Sequence, residues 1–308
     1  DADGVGLLSS ALAECAAELA RRRSAARVRL VQVSEDRVEV LLSEPLLPTP
    51  AGWVPEASGS AWVRQRDEVP PRDVTPTNPL LVAVGRQDGC ELYLDLESEG
   101  IVSIVGDAAA GADLARSILI ELATSPLADG VAVTSTSEAL VDATYERIRS
   151  VATWDDVADD AVSWAQQTRE LLAANRWSTP AAGRAAGCRP DDLAPLVVVV
   201  DEVPGDERFA DLCAALGESV VPVVVLSVGT AIEGSTIIDV GAGELCIPSI
   251  GLTCAAQGVS PDAAEAVGRL VAGYDDVPAQ LSLIEPPPED ETPPADPRAP
   301  GPYVDPLC

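Results

Sequence analysis

The chain is 308 residues long and 47% hydrophobic, enough for a sizeable core, yet only 3% is aromatic, so Ala, Val and Leu must fill that core. Its 20 basic residues, all of them Arg, face 50 acidic ones, and the resulting net charge of −30 disfavours direct contact with phosphate backbones or anionic lipid. The absence of His, Lys and Met removes imidazole bases, His metal ligands and lysine Schiff bases from the available chemistry.

Residues 4–23 set Leu8, Leu12, Cys15 and Leu19 at helical spacing, with Arg21, Arg22 and Arg23 where cations complement the negative end of a helix dipole. Alternating apolar residues at 28–33 and 38–42, either side of Ser34, Glu35 and Asp36, predict a hairpin, and a further short strand is expected at 61–66. The stretch 67–79 holds four prolines and few apolar residues, and reads as a boundary. Residues 1–75 are therefore expected to form a small α+β unit.

Beyond that boundary the pattern changes. Strands are expected at 80–84 and 90–96 about a turn at 87–89. Continuous apolar runs follow at 101–105, 131–133, 196–200 and 221–226, as in strands buried on both faces of a parallel sheet. Helical patterns occupy 112–123, 155–174, 207–216 and 261–272, the last opening with Ser260 as N-cap and Pro261 at the first helical position. The fold class predicted for 76–280 is α/β, a P-loop NTPase-like parallel sheet flanked by helices. Residues 281–308 are proline-rich and acidic and read as a stiff, extended linker. No run approaches the ~20 apolar residues that span a bilayer. The seven cysteines, at 15, 90, 188, 213, 246, 254 and 308, form no CxxC pair and sit mostly in apolar runs, as buried free thiols of a reducing compartment would. An initial Asp, the lack of Met and the proline-rich ending are expected of a piece of a longer chain.

The segment IVSIVGDAAAGADLARSILIEL, residues 101–122, has the layout strand, glycine-bounded loop, helix. A phosphate-binding P-loop has the form GxxxxGK[ST]: backbone N–H groups wrap the phosphates, the Lys neutralises their charge and the hydroxyl reaches magnesium. Gly106 and Gly111 have the required separation, but Ala112 replaces the Lys and Asp113 the Ser/Thr, while Asp107 adds a second carboxylate. A carboxylate a few ångströms from a phosphate, at an effective dielectric of about 20, repels it by roughly 4 kcal/mol. Arg116, one turn further on, is expected to be a solvated helix residue rather than a replacement cation. The run LVVVVDE, 196–202, ends a buried strand in Asp201 and Glu202. This is the Walker B pattern, in which the Asp orients magnesium through water and the Glu activates the attacking water. Together the two stretches predict P-loop ancestry. The loop residues Gly106, Asp107, Gly111, Ala112 and Asp113 and the acids Asp201 and Glu202 are then expected to be vestiges, with no cofactor, no metal and no catalysis.

The segment GCELYLDLESEGIVSIVGDAAAGADLARSILIELATSPLADGVAV, 89–133, resembles the central region of large, actinobacterial-type, membrane-anchored regulatory proteins. Those proteins combine a LysM peptidoglycan-binding module, a degenerate P-loop region and a C-terminal bacterial transcriptional activator domain. The strand ending LDLE, the turn at Ser98, Glu99 and Gly100, the lysine-less loop, VPVVVLSVG (221–229) and TIIDVGAGELCIPSIGL (236–252) carry the likeness over about 80–273. More distantly, the α/β core looks like the FtsK/SpoIIIE class of translocases, from which it departs at the Lys and the Ser/Thr of the loop. The resemblance implies a non-enzymatic scaffolding domain at the cytoplasmic face of a membrane, linking a cell-wall-sensing part to a DNA-binding activator part. Its partners would be other domains of the same polypeptide, with self-association left open. This segment would bind no nucleic acid itself, and would meet the membrane only through segments outside it. Two alternatives stay open: a weak ATPase of the FtsK-like class using Asp201, Glu202 and an Arg supplied in trans, and a ligand-binding or protein-interaction platform at the carboxyl ends of the strands.

Overall fold

Helix α1, Ala2–Arg22, turns Leu8, Leu12, Cys15 and Leu19 inward, and all four are buried. They meet the antiparallel hairpin β1 (Val28–Val33) and β2 (Arg37–Leu42), which β4 (Ala61–Gln65) and the two-residue β3 (Val54–Pro55) extend outward. Trp53 and Trp62 complete this core, and the indole N–H of Trp62 donates to the Leu46 carbonyl at 3.0 Å. The structure, a computed structural model, describes residues 2–69, 75–137, 140 and 145–275; the expected linker 281–308, with Cys308, lies outside them.

A second hairpin follows, β5 (Leu81–Gln87) and β6 (Cys90–Asp95), turned by Asp88 and Gly89 at φ 51° and 80°, the left-handed pair that a tight two-residue turn demands. Strand β6 pairs with β1, Leu94 opposite Leu30. The sheet therefore continues across the proline-rich stretch. The remaining elements are α2 (Leu96–Glu99), β7 (Ile101–Gly106), α3 (Ala108–Thr124), β8 (Ala132–Ser135), β9 (Ile148–Ser150), α4 (Ala158–Asn175), α5 (Pro180–Ala185), β10 (Leu196–Val200), α6 (Glu207–Glu218), β11 (Val223–Val228), β12 (Thr236–Val240), β13 (Glu244–Ile247), β14 (Leu252–Ala256) and α7 (Pro261–Asp275).

All 14 strands form one sheet in the order β3-β4-β2-β1-β6-β5-β14-β13-β12-β7-β11-β10-β8-β9. Pairing is antiparallel from β3 to β12 and parallel from β12 to β9. The predicted α/β class is what the structure has, with the parallel order confined to the part that helices cover. On one face, Leu114, Ile118, Leu119 and Leu122 of α3 pack against Ile104, Val199 and Leu226. On the other, α4 and α6 cover Ile101, Val198, Val200, Val223 and Val225. Successive residues of each central strand thus face different helices, which is why 196–200 reads as an unbroken apolar run. Each such Val, fully buried, contributes about 1.5–3 kcal/mol.

An acidic turn around α2 ties the layers together. Asp95 caps α2, accepting from the Glu97 N–H at 3.1 Å, Asn78 Nδ2 at 2.7 Å and Ser98 Oγ at 3.2 Å. Glu97 holds the Arg184 guanidinium of α5 at 2.7 and 2.8 Å, and Glu99 holds that of Arg29 on β1 at 2.7 Å through both oxygens. Burial pushes the Asp95 carboxyl up to about 7, the Glu97 charge adding to it and the Asn78 and Ser98 donors opposing it. Among the described residues no helix is long and apolar enough to cross a membrane.

Candidate functional site

Strand β7 delivers Gly106 to the carboxyl edge of the parallel sheet, where the backbone turns at φ +101°. A Cβ there would stand 2.4 Å from the Val240 carbonyl oxygen and 2.5 Å from Asp239 Oδ1, so the residue must be Gly for closeness as well as conformation. Asp107 follows as the N-cap of α3: its N–H donates to Val240 O at 2.8 Å and its carboxylate accepts from the Ala110 N–H at 2.9 Å. The Gly111 N–H donates to Asp107 O at 2.8 Å. Residues 108–111 are therefore already helical. A phosphate-wrapping loop needs N–H groups free to point at the ligand; here three of them are taken, and the Asp107 carboxylate stands where an anion would sit. Gly111 is buried, a Cβ at that position lying 3.3 Å from Ile104 Cγ2, and Ala112 packs partly buried beside it.

Asp113 does not face the loop as a lone charge. Its carboxylate pairs with Arg116, and its own carbonyl accepts from the Val259 N–H at 2.9 Å. Arg116, expected to be solvated, is only 12% exposed in its side chain and also donates through Nε to the Val259 carbonyl at 3.1 Å. The repulsion assigned to Asp113 from sequence is thus largely offset by a cation three residues away. The difference arises because the segment before α7, more than 140 residues later, closes over this turn of the helix.

Asp201 and Glu202 follow β10 directly and are both exposed. Asp201 Oδ1 accepts from Thr136 Oγ1, just past β8, at 3.4 Å. Strand β11 alone separates β10 from β7, so the acids and the glycine turn share one edge about 10 Å apart, two strand spacings. The sequence-predicted residues are therefore brought to one edge, but they do not converge on a point. Among the described residues no group of three or more acids or thiols is placed to hold a metal ion. As folded, the loop does not fit a nucleotide phosphate until Asp107 and Arg116 change partners. Sequence reasoning missed Thr136, Asp239 and Val259. The sheet order, with β12 beside β7, brings Asp239 to the loop, and the segment between β14 and α7 brings Val259 to α3.

A cleft of about 980 Å³ opens at the other end of the sheet, beside the start of β8 and β10, with Pro76, Pro126, Arg184, Cys188 and Pro195 in its wall. The Arg184 side chain there is spent on Glu97, Thr77 O and Leu193 O.

No protein-family model and no curated protein matches the chain. Solved structures do. A structure of the pCW3 conjugation coupling protein TcpA in monomer form with ATPγS is 12% identical, with a TM-score of 0.46 over 87% of this chain and 99% of that one. The cytoplasmic domain of the Thermomonospora curvata type VII secretion ATPase EccC is 13% identical, with a TM-score of 0.45 over 66% of this chain and 32% of that one. EssC (ATPases 2 and 3) from Geobacillus thermodenitrificans is 12% identical, with a TM-score of 0.47 over 75% of this chain and 52% of that one. The chain thus spans about a third of the EccC structure and half of the EssC structure. These likenesses are of fold and assign no activity. Against the expectation that the chain is not an enzyme, the solved structures it resembles are titled as ATPases or hold an ATP analogue. The physical ground for that expectation has also weakened, because the Asp113 charge is paired.

Proposed function

We propose that the chain is an ATPase-class domain of the FtsK/SpoIIIE-like fold that handles nucleotide weakly on its own. One observation carries this reading: the glycine turn of β7 and the acids Asp201 and Glu202 of β10 stand at one edge of a parallel sheet, with β11 alone between them. When magnesium nucleotide is bound, it supplies the phosphoanhydride and the metal charge. Asp201 would then meet the metal through water, and Glu202 is the base candidate. The chain has no Lys, so the balancing cation is an Arg, either Arg116 or one from a neighbouring subunit.

The test is equilibrium binding of labelled ATP with magnesium, together with phosphate release, on the purified chain and on Glu202→Gln. The expected affinity is around millimolar, ~4 kcal/mol of binding, with slow turnover that Glu202→Gln abolishes. Hydrolysis unchanged in Glu202→Gln, or no binding at several times that concentration, would sink the reading. The setting we propose for this domain rests on the sequence resemblance of 89–133: the cytoplasmic side of a membrane-anchored regulator, with other domains of the same polypeptide and further copies of the chain as partners. Sequencing the gene on both sides decides it, a winged helix downstream being the expected finding and its absence the contrary one.

A further inference from the structure

Asp113 stands where a magnesium-reaching hydroxyl would be, yet its contacts run away from the loop, toward the last helix. Its carboxylate holds Arg116, Arg116 Nε donates to the Val259 carbonyl at 3.1 Å, and the Val259 N–H donates back to Asp113 O at 2.9 Å. Gln257 adds its N–H to Val84 O at 3.0 Å and its Nε2 to Ser117 Oγ at 3.2 Å. At Gly258 an added Cβ would lie 3.1 Å from the Asp113 Cβ, so the chain passes in direct contact with α3. Residues 257–259 are thereby strapped along the first turns of α3, and α7 begins two residues later with the Ser260 carbonyl accepting from the Ala264 N–H at 2.9 Å. Over the side chains of 261–271, helix α7 is thinly held. Val267 and Val271 are half-buried and Leu270 is 70% exposed, so apolar burial does little to fix it and the strap does much.

We infer that Arg116 couples the 106–113 loop to α7: a phosphate group seated at the loop draws the guanidinium off Val259 and releases the strap and the helix. This rests on the nucleotide reading above and adds its regulation. Arg116 is the single basic residue of α3. Its planar fork of donors matches two phosphate oxygens better than one carboxylate and one carbonyl, and it cannot keep the Val259 bond while turned toward the loop. Residues 257–259 carry no charge of their own, so once the guanidinium leaves, the strap is held only by the neutral bonds of Gln257 to Val84 and Ser117 and of the Val259 N–H to Asp113 O, and is loosened.

The experiment is amide hydrogen exchange across 257–271 in the wild-type chain and in Arg116→Gln, with and without MgATP, nucleotide occupancy being followed separately by equilibrium binding. Without nucleotide, Arg116→Gln should speed exchange in α7 about tenfold, ~1.4 kcal/mol of lost protection, while β7 and β11 stay protected. MgATP should do the same to the wild type and add nothing to the variant. If Arg116→Gln also loosens β7, Asp113→Asn replaces it, with the same expectation for α7. Bound MgATP with α7 protection unchanged would overturn the coupling and leave the nucleotide reading standing. No binding at all would overturn both, and unchanged α7 protection in the variants would overturn the strap itself.

Discussion

At Gly106 a positive φ coincides with a lack of room for any Cβ beside the Val240 carbonyl, whereas at Gly111 the backbone is helical and the nearest atom to an added Cβ is Ile104 Cγ2 at 3.3 Å. The two glycines of one motif therefore differ in what they tolerate. Gly106→Ala is expected to cost about 3 kcal/mol or more, strain and clash adding. Gly111→Ala should fall within ~1 kcal/mol of neutral, since the helix-propensity gain offsets a tight contact. Urea unfolding of the two variants checks both. Glu121 gives a second residue-scale expectation. The irregular register of β5 near Ala83 leaves that N–H to the Glu121 carboxylate at 2.8 Å, and burial, with Glu91 adding, pushes the Glu121 carboxyl up to about 7. Its ordinary value is 4.5, so between the two the folded state binds more protons than the unfolded and stability falls as pH rises, by at most ~3 kcal/mol. Glu121→Gln keeps the acceptor and removes the charge. Its urea midpoint should therefore change less between pH 5 and pH 8 than the wild type's, and an equal change in both would exclude Glu121 as the cause. Spacing alone revealed the glycine pair and the Asp-Glu pair. It could not reveal that Asp239 and Val240 would lean on Gly106 or that Arg116 would be covered, because those neighbours arrive from far along the chain, Val259 lying 143 residues after Arg116.

Elements with a strong period were legible: α1, the two hairpins, α3, α4, α6, α7 and the buried strands β7, β10 and β11 all lie where patterning places them to within a few residues. Strand β9 was not, because only Ile148 of its three residues is buried and the other two are exposed. Helix α5 is six residues long and depends on the Thr179 cap and Pro180, a signal easily lost in a loop. The antiparallel trio β12, β13 and β14 mixes apolar and polar residues, since β13 and β14 expose Glu244, Thr253 and Ala255. What fixes α5 is the acidic turn at α2: Arg184 and Glu97 are 7% and 3% exposed and meet at 2.7 Å. Glu97→Leu leaves a buried guanidinium without its counter-ion and should cost ~3–5 kcal/mol. The double variant Glu97→Leu, Arg184→Met should cost clearly less than the two single changes summed, because no unpaired charge remains. A double-mutant cycle in urea returns the coupling directly, and additive costs would show that the pair contributes nothing as a pair.

Across the whole molecule the decisive feature is that the sheet does not stop at the proline-rich stretch 67–79. Strand β1 of the first 75 residues pairs with β6 beyond it, Leu30 to Leu94 and Val31 to Tyr93, and Arg29 reaches across to Glu99. Leu81 and Leu127, from the α/β part, belong to the same buried cluster as α1, Trp53 and Trp62. Cutting the chain near residue 75 would strip β6 of its partner along four residue pairs and uncover that cluster, leaving a flat apolar edge of the kind that aggregates. The two parts should accordingly unfold as one unit. The tryptophans make this measurable, since Trp53 and Trp62 lie in the first part and Trp154, Trp164 and Trp177 in the second. A chain with the last three replaced by Phe reports only the α1 side by fluorescence, while circular dichroism reports the whole. Coincident urea midpoints are expected, as for a single cooperative transition. A fluorescence midpoint well below the circular dichroism midpoint would show that the β1–β6 seam opens first and that the first 75 residues are a separable module.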